Sequence, residues 1–195
     1  MRESMKQIGG KTARLTGTAI LAALVLIFDY SLKFSGLKIP FPWMPFLKFD
    51  FTGIPIIISL LLYGLTSAAT TSAVACLGII VRSGDLIGGA MKGIAEFSTV
   101  MGMAYGIYLA SRLGLEEKYW KTPSIINGVS SRIIIMSIWN LIVLPNYYGL
   151  TLNATVSMLP LLGFFNGIQG IMTAFLGYLF YEAYTKNMRA RSFPS

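Results

Sequence analysis

The chain has 195 residues, 54% of them hydrophobic and only 12% charged, with a mean hydropathy of +0.65; soluble globular chains carry roughly 25% charged residues, so the composition marks one membrane domain with little chain left for a soluble one. The net charge of +8 does not mark a nucleic-acid surface, because the basic residues are dispersed between apolar segments, where they flank lipid headgroups and set topology. Histidine is absent, which removes the commonest general base and the usual transition-metal ligand, and the single cysteine, Cys76, allows no intrachain disulfide.

About 20 apolar residues cross a hydrocarbon core of about 30 Å, and such stretches recur along nearly the whole chain. The first is predicted over 12–34. Basic residues precede it, but it is too long for a signal-peptide core and lacks a cleavage site, so it reads as a retained first helix. Within it Ala19 and Ala23, with Thr16 and Ala22 nearby, form a small-xxx-small face that serves either internal packing or docking of a separate protein. Asp29 falls near its outer end, at the interface. The segment from Ser35 to Thr52 is rich in aromatics and holds Pro40, Pro42 and Pro45, which argues against a continuous helix.

The apolar block from Ile54 to Val81 is too long for one untilted helix and short for two. Charge decides. Arg2, Lys6, Lys11 and Arg14 precede the first span, and Lys186, Arg189 and Arg191 follow the last. Both ends are therefore expected to be cytoplasmic, which requires an even number of spans. The block is then two short helices, over 54–64 and 65–82, reversing near Gly64, where glycine permits a tight turn. Further spans are expected over 86–113, 124–144 and 158–184, with Arg112, Lys118 and Lys121 on an inner loop and Pro145 to Asn153 on an outer one. The residues after Tyr184 read as a frayed basic end. The expected fold class is an all-α integral membrane bundle of six helices.

Chemistry is sparse. Without histidine no Ser-His-Asp or Cys-His arrangement exists, and no Walker or dinucleotide fingerprint occurs; the chain reads as no enzyme, with no metal site and no cofactor of its own. Ionisable residues inside apolar spans face a bundle interior, a cavity or one another. Lys92 and Glu96, four apart on one helical face, either neutralise each other or contact a ligand, whose hydroxyls Glu96 would accept. Arg132 either snorkels or meets a phosphate. Asn140, Asn166 and Gln169 lie in aromatic, apolar company. Such amides suit the edge of a neutral heterocycle, a pattern typical of small-molecule pockets, and they equally suit hydrogen bonding between helices.

The short six-span layout, the Ala19-xxx-Ala23 first helix and the run Pro45-Phe46-Leu47-Lys48-Phe49-Asp50-Phe51-Thr52-Gly53-Ile54-Pro55 resemble the S components of energy-coupling-factor (ECF) vitamin transporters, and among them the riboflavin-specific branch. The resemblance implies a substrate-binding subunit of the cell membrane that takes riboflavin, or a similar flat heterocyclic vitamin, near the extracellular face. It implies partners as well: a transmembrane coupling protein, docked on Ala19 and Ala23, and two cytoplasmic ATPases that supply the energy. Implied ligand contacts are Leu47 and Lys48 in the covering loop and the amides Asn140 and Asn166, with Gln169, Lys92 and Glu96 as further candidates. The chain departs from the family pattern at Gly53, where an acidic residue is common before the Ile-Pro pair, and at Gln169, where a lysine usually stands. An S component for another vitamin or precursor, and an ion-coupled secondary transporter built on Glu96, Asp29 and Lys92, are the alternatives; a lipid-directed membrane enzyme is weakened by the missing histidine.

Overall fold

The computed structural model describes residues 10–192. Six helices and one hairpin follow in the order α1 (Lys11–Phe34), β1 (Ile39–Phe41), β2 (Met44–Phe49), α2 (Gly53–Tyr63), α3 (Leu65–Ser83), α4 (Leu86–Arg112), α5 (Lys121–Tyr148) and α6 (Leu152–Ser192), with a short 3-10 turn, Glu117–Tyr119, before α5. Arg2 and Lys6, and the side chains of Arg189 and Arg191, lie outside the described residues. Among the described residues, four stretches are long and apolar enough to cross a membrane: Lys11–Phe34, Leu65–Ser83, Glu117–Tyr148 and Leu152–Met188. With 11 residues, α2 reaches only about 16 Å.

The helices alternate in direction. Gly64, at φ 84°, separates α2 from α3. Next to it Ser67 accepts a hydrogen bond from Arg14 near the start of α1, whereas Arg82 near the end of α3 pairs with Asp29 near the end of α1. Thus α3 runs alongside α1, and α2 runs against both. The described ends of the chain therefore share one end of the bundle, and the β-hairpin occupies the other. The reversal at Gly64 follows the expectation from charge and glycine.

Three boundaries differ from the sequence expectation. Pro145 does not end α5, which continues to Tyr148: a proline removes one intrahelical hydrogen bond, and the turns around it carry the helix on. α6 starts at Leu152, six residues earlier than expected, with the Thr151 hydroxyl accepting from the Ala154 N–H, as an N-cap side chain does. At the far end α6 does not fray after Tyr184 but continues to Ser192. Basic residues suit the last turns of a helix, where they face its negative dipole end.

The interior has two parts. Val25, Ile56, Ile57, Leu60, Met103 and Ala174 anchor a central cluster that joins α1, α2, α4 and α6. A second cluster seats the hairpin: Phe41 and Met44 pack on Leu162 and Phe165 of α6. β1 and β2 pair antiparallel, with Ile39 opposite Phe49 and Pro40 opposite Lys48. Large apolar residues such as Ile20, Ile134 and Phe175 face outward, where lipid is as good a solvent as the core.

Small residues set the spacing of α4 and α5. A Cβ on Gly102 would fall on the backbone carbonyl of Asn127, and one on Gly106 on that of Pro123. Backbone cannot give way as a flexible side chain can. Gly106→Val is expected to cost about 1–3 kcal/mol by overpacking, read as a lowered melting temperature of the detergent-purified protein, while a valine at Gly163, where a Cβ meets only the Ile133 side chain at 3.6 Å, is expected to cost less.

Candidate functional site

Beneath the hairpin lies a cavity of about 770 Å³, within the range of about 300–1,000 Å³ usual for small-molecule sites. Phe46, Leu47 and Lys48 of β2 cover it. Met91, Met136, Leu144, Met158, Leu162 and Phe165 give α4, α5 and α6 apolar walls. The polar groups converge from four elements: Asp50 after β2, Lys92 on α4, Arg132 and Asn140 on α5, and Asn166 and Gln169 on α6.

All of these polar groups except Asn140 form one network. The Lys92 ammonium donates to both Asp50 carboxylate oxygens, at 2.8 and 2.9 Å, and to Glu96 Oε1 at 2.8 Å. Arg132 donates to the same Glu96 oxygen at 3.2 Å, to Thr99 Oγ1 at 3.1 Å and, through Nε, to Asn166 Oδ1 at 3.2 Å. Gln169 donates to the Asp50 carbonyl at 2.8 Å. Two cations thus face two carboxylates with no net charge, the arrangement that buried charge requires. Asp50 lies in the loop outside the spanning helices. Burial pushes its carboxyl upward, but the charge and hydrogen bonds of Lys92 and the Thr52 hydroxyl outweigh burial and hold it at about 2.

Six of the expected contact residues, Leu47, Lys48, Lys92, Asn140, Asn166 and Gln169, line this one cavity. Their availability differs. Asn140 donates its amide to the Met136 carbonyl at 2.7 Å, leaving its side-chain oxygen without a partner among the described residues. Asn166 is engaged by Arg132, and Gln169 is largely spent on tying Asp50 to α6. Glu96 does not line the cavity; it sits behind the wall and holds Lys92 and Arg132. Ala19 and Ala23 are exposed on the outer face of α1.

Three residues carry more than their sequence positions disclose. Asp29, expected at the interface, is only 4% exposed and pairs with Lys38 at 2.6 Å and Arg82 at 2.9 Å. Arg132, read as snorkelling or phosphate-binding, is a buried member of the network. Asp50 was visible only as part of the loop run; the signal was Thr52 two residues on, whose N–H and hydroxyl both bond its carboxylate, a local Asx turn. At Gly53 the space a Cβ would take is filled by the Glu96 carboxylate and the Thr173 methyl.

No protein-family pattern matches the chain, and no curated protein matches it. Among solved structures, the fold matches the S component of a bacterial ECF transporter with a TM-score of 0.74 and 24% sequence identity, covering 92% of this chain and 99% of that one. At that identity the likeness is one of fold. The chain has the fold of that S component.

Lys92→Met would leave the Asp50 carboxylate with no ion pair among the described residues and Glu96 to Arg132 alone. Breaking such a pair is expected to cost about 3–5 kcal/mol, whereas Asp50→Asn/Lys92→Met, which leaves one balanced Glu96–Arg132 pair, should melt closer to wild type. Because the folded Asp50 carboxyl is lowered, its stabilisation is complete above the ordinary value of 3.8 and lost as pH falls towards about 2. The melting difference between wild type and Asp50→Asn should therefore stay constant from about pH 5 to 8.

Proposed function

We propose that the protein is the substrate-binding S component of an ECF-type importer, capturing riboflavin or a related flat heterocyclic vitamin at the extracellular side of the cell membrane. The observation that carries this reading is the cavity itself: apolar walls, a few amides and a hairpin lid, in a fold shared with a known S component. Burial of a planar apolar ligand supplies the main attraction, at roughly 25 cal/mol per Å² of apolar surface, and the amides orient it. Asn140, whose oxygen has no other partner among the described residues, is the best-placed orienting group, and Leu47 and Phe46 close over the ligand.

The chain carries no nucleotide-binding fingerprint, so the reading assigns ATP hydrolysis to two cytoplasmic ATPases and transmission of their work to a transmembrane coupling protein docked on the exposed Ala19–Ala23 face. The ion-coupled alternative would use Glu96, Asp29 and Lys92 as mobile charges. All three are ion-paired in the bundle, which supports a structural role for them.

Three outcomes follow from this reading. The detergent-purified protein should retain a visible flavin band after riboflavin is added and the excess removed; a colourless protein that does not quench flavin fluorescence would rule riboflavin out. Asn140→Leu should weaken binding about tenfold, one hydrogen bond's worth, with expression unchanged. Asn166→Leu is the less clean test, because it also deprives Arg132 of a partner. Ala23→Trp should abolish co-purification with the coupling module while leaving ligand binding intact.

A further inference from the structure

Charge around the cavity is unevenly matched. Six cations line it (Lys33, Lys38, Lys48, Arg82, Lys92 and Arg132) and one carboxylate, Asp50. The other described carboxylates at this end are Asp29 and Glu96, both ion-paired, and Asp85, which caps α4 by accepting from the Gly88 N–H at 2.7 Å. Six cations against these four carboxylates leave two positive charges over. The remaining described carboxylates, Glu116, Glu117 and Glu182, lie at the other end of the bundle.

The surplus has an address. Lys38 and Arg82 share Asp29, Lys92 pairs with Asp50 and Glu96, and Arg132 pairs with Glu96. Lys33, near the end of α1, and Lys48, on β2, line the cavity with no hydrogen bond or ion pair to any described residue. Both are exposed, so they sit at the mouth rather than in the buried polar layer. A cleft with low-dielectric walls focuses the field of such charges onto whatever enters it. A purely neutral ligand would make no use of them.

We infer that the ligand carries an anionic group, a carboxylate or a phosphate, which Lys33 and Lys48 hold at the mouth while its apolar part occupies the methionine- and leucine-lined interior. This rests on the reading of the cavity as the substrate site. Within the flat heterocyclic ligands of that reading it selects those bearing an anionic group, such as riboflavin 5′-phosphate, over uncharged riboflavin itself. The amides and the aromatic lid orient the body, and the two lysines select for charge.

The test uses matched pairs of ligands that differ in one charge, titrated against the full-length purified protein: riboflavin against riboflavin 5′-phosphate, nicotinamide against nicotinate, and panthenol against pantothenate. In at least one pair the anionic member should bind at least tenfold more tightly. That preference should shrink as salt is raised, should fall to within about twofold in Lys33→Gln/Lys48→Gln, and should persist in Lys33→Arg/Lys48→Arg. Equal binding within every pair, a preference that survives the glutamine variant, or no binding by any anionic member would overturn the inference. If the glutamine variant instead loses co-purifying anionic lipid and leaves ligand preference unaltered, the lysines serve headgroups and the inference falls. Riboflavin bound as tightly as its phosphate would leave the flavin reading standing and remove this one. An anionic preference in a non-flavin pair, with neither flavin bound, would do the reverse.

Discussion

Lys92 lies between the carboxylates of Asp50 and Glu96, and Arg132 shares the second of them. Charges taken out of water are tolerable only when paired and hydrogen-bonded, so the loop after β2 has to close onto α4, and α4 onto α5. Asn166 and Gln169 extend the same bonding to α6. The position of Asp50 in turn fixes where α2 begins and how the hairpin lies over the cavity. The polar layer beneath the site is thus also the joint that assembles it.

A second tether acts at the rim. Asp29 binds Lys38, just before the hairpin, and Arg82, at the end of α3, so the loop after α1 is held at both of its ends. Between these anchors the hairpin is attached by apolar packing, with Phe41 set against Phe165 and Phe49 at centroid distances of 5.4 and 5.9 Å. Packing of this kind is non-directional, unlike the ionic joints on either side. The cover of the site is therefore held by packing, and its frame by the pair of ionic joints.

Much of the helical layout was legible because membrane spans are written in long apolar runs and their ends in charge. The break at Gly64 could be placed from an even span count and one glycine. Pro145 misled because a proline's local effect is the loss of one hydrogen bond, which neighbouring turns outweigh. The polar start of α6 misled because Thr151 satisfies an N–H that composition alone assigns to a loop. In the site, Asn140, Asn166, Gln169 and Lys92 stood out as polar residues in apolar surroundings. Asp50 did not, because a carboxylate in a loop is unremarkable until its partner 42 residues away is known.

By itself, then, the sequence determined that the chain is a helical membrane bundle, that its second apolar block breaks at Gly64, and which few polar residues are costly enough to need a purpose. Those are properties of composition and local order, readable wherever the solvent is lipid. Only the tertiary structure decided which of those residues neutralise one another and which face the cavity. It placed Glu96 behind the wall, spent Gln169 on the loop, and left Lys33 and Lys48 without partners among the described residues. The reason is that pairing a buried charge is a question of distance across the fold, and sequence separation carries no information about it.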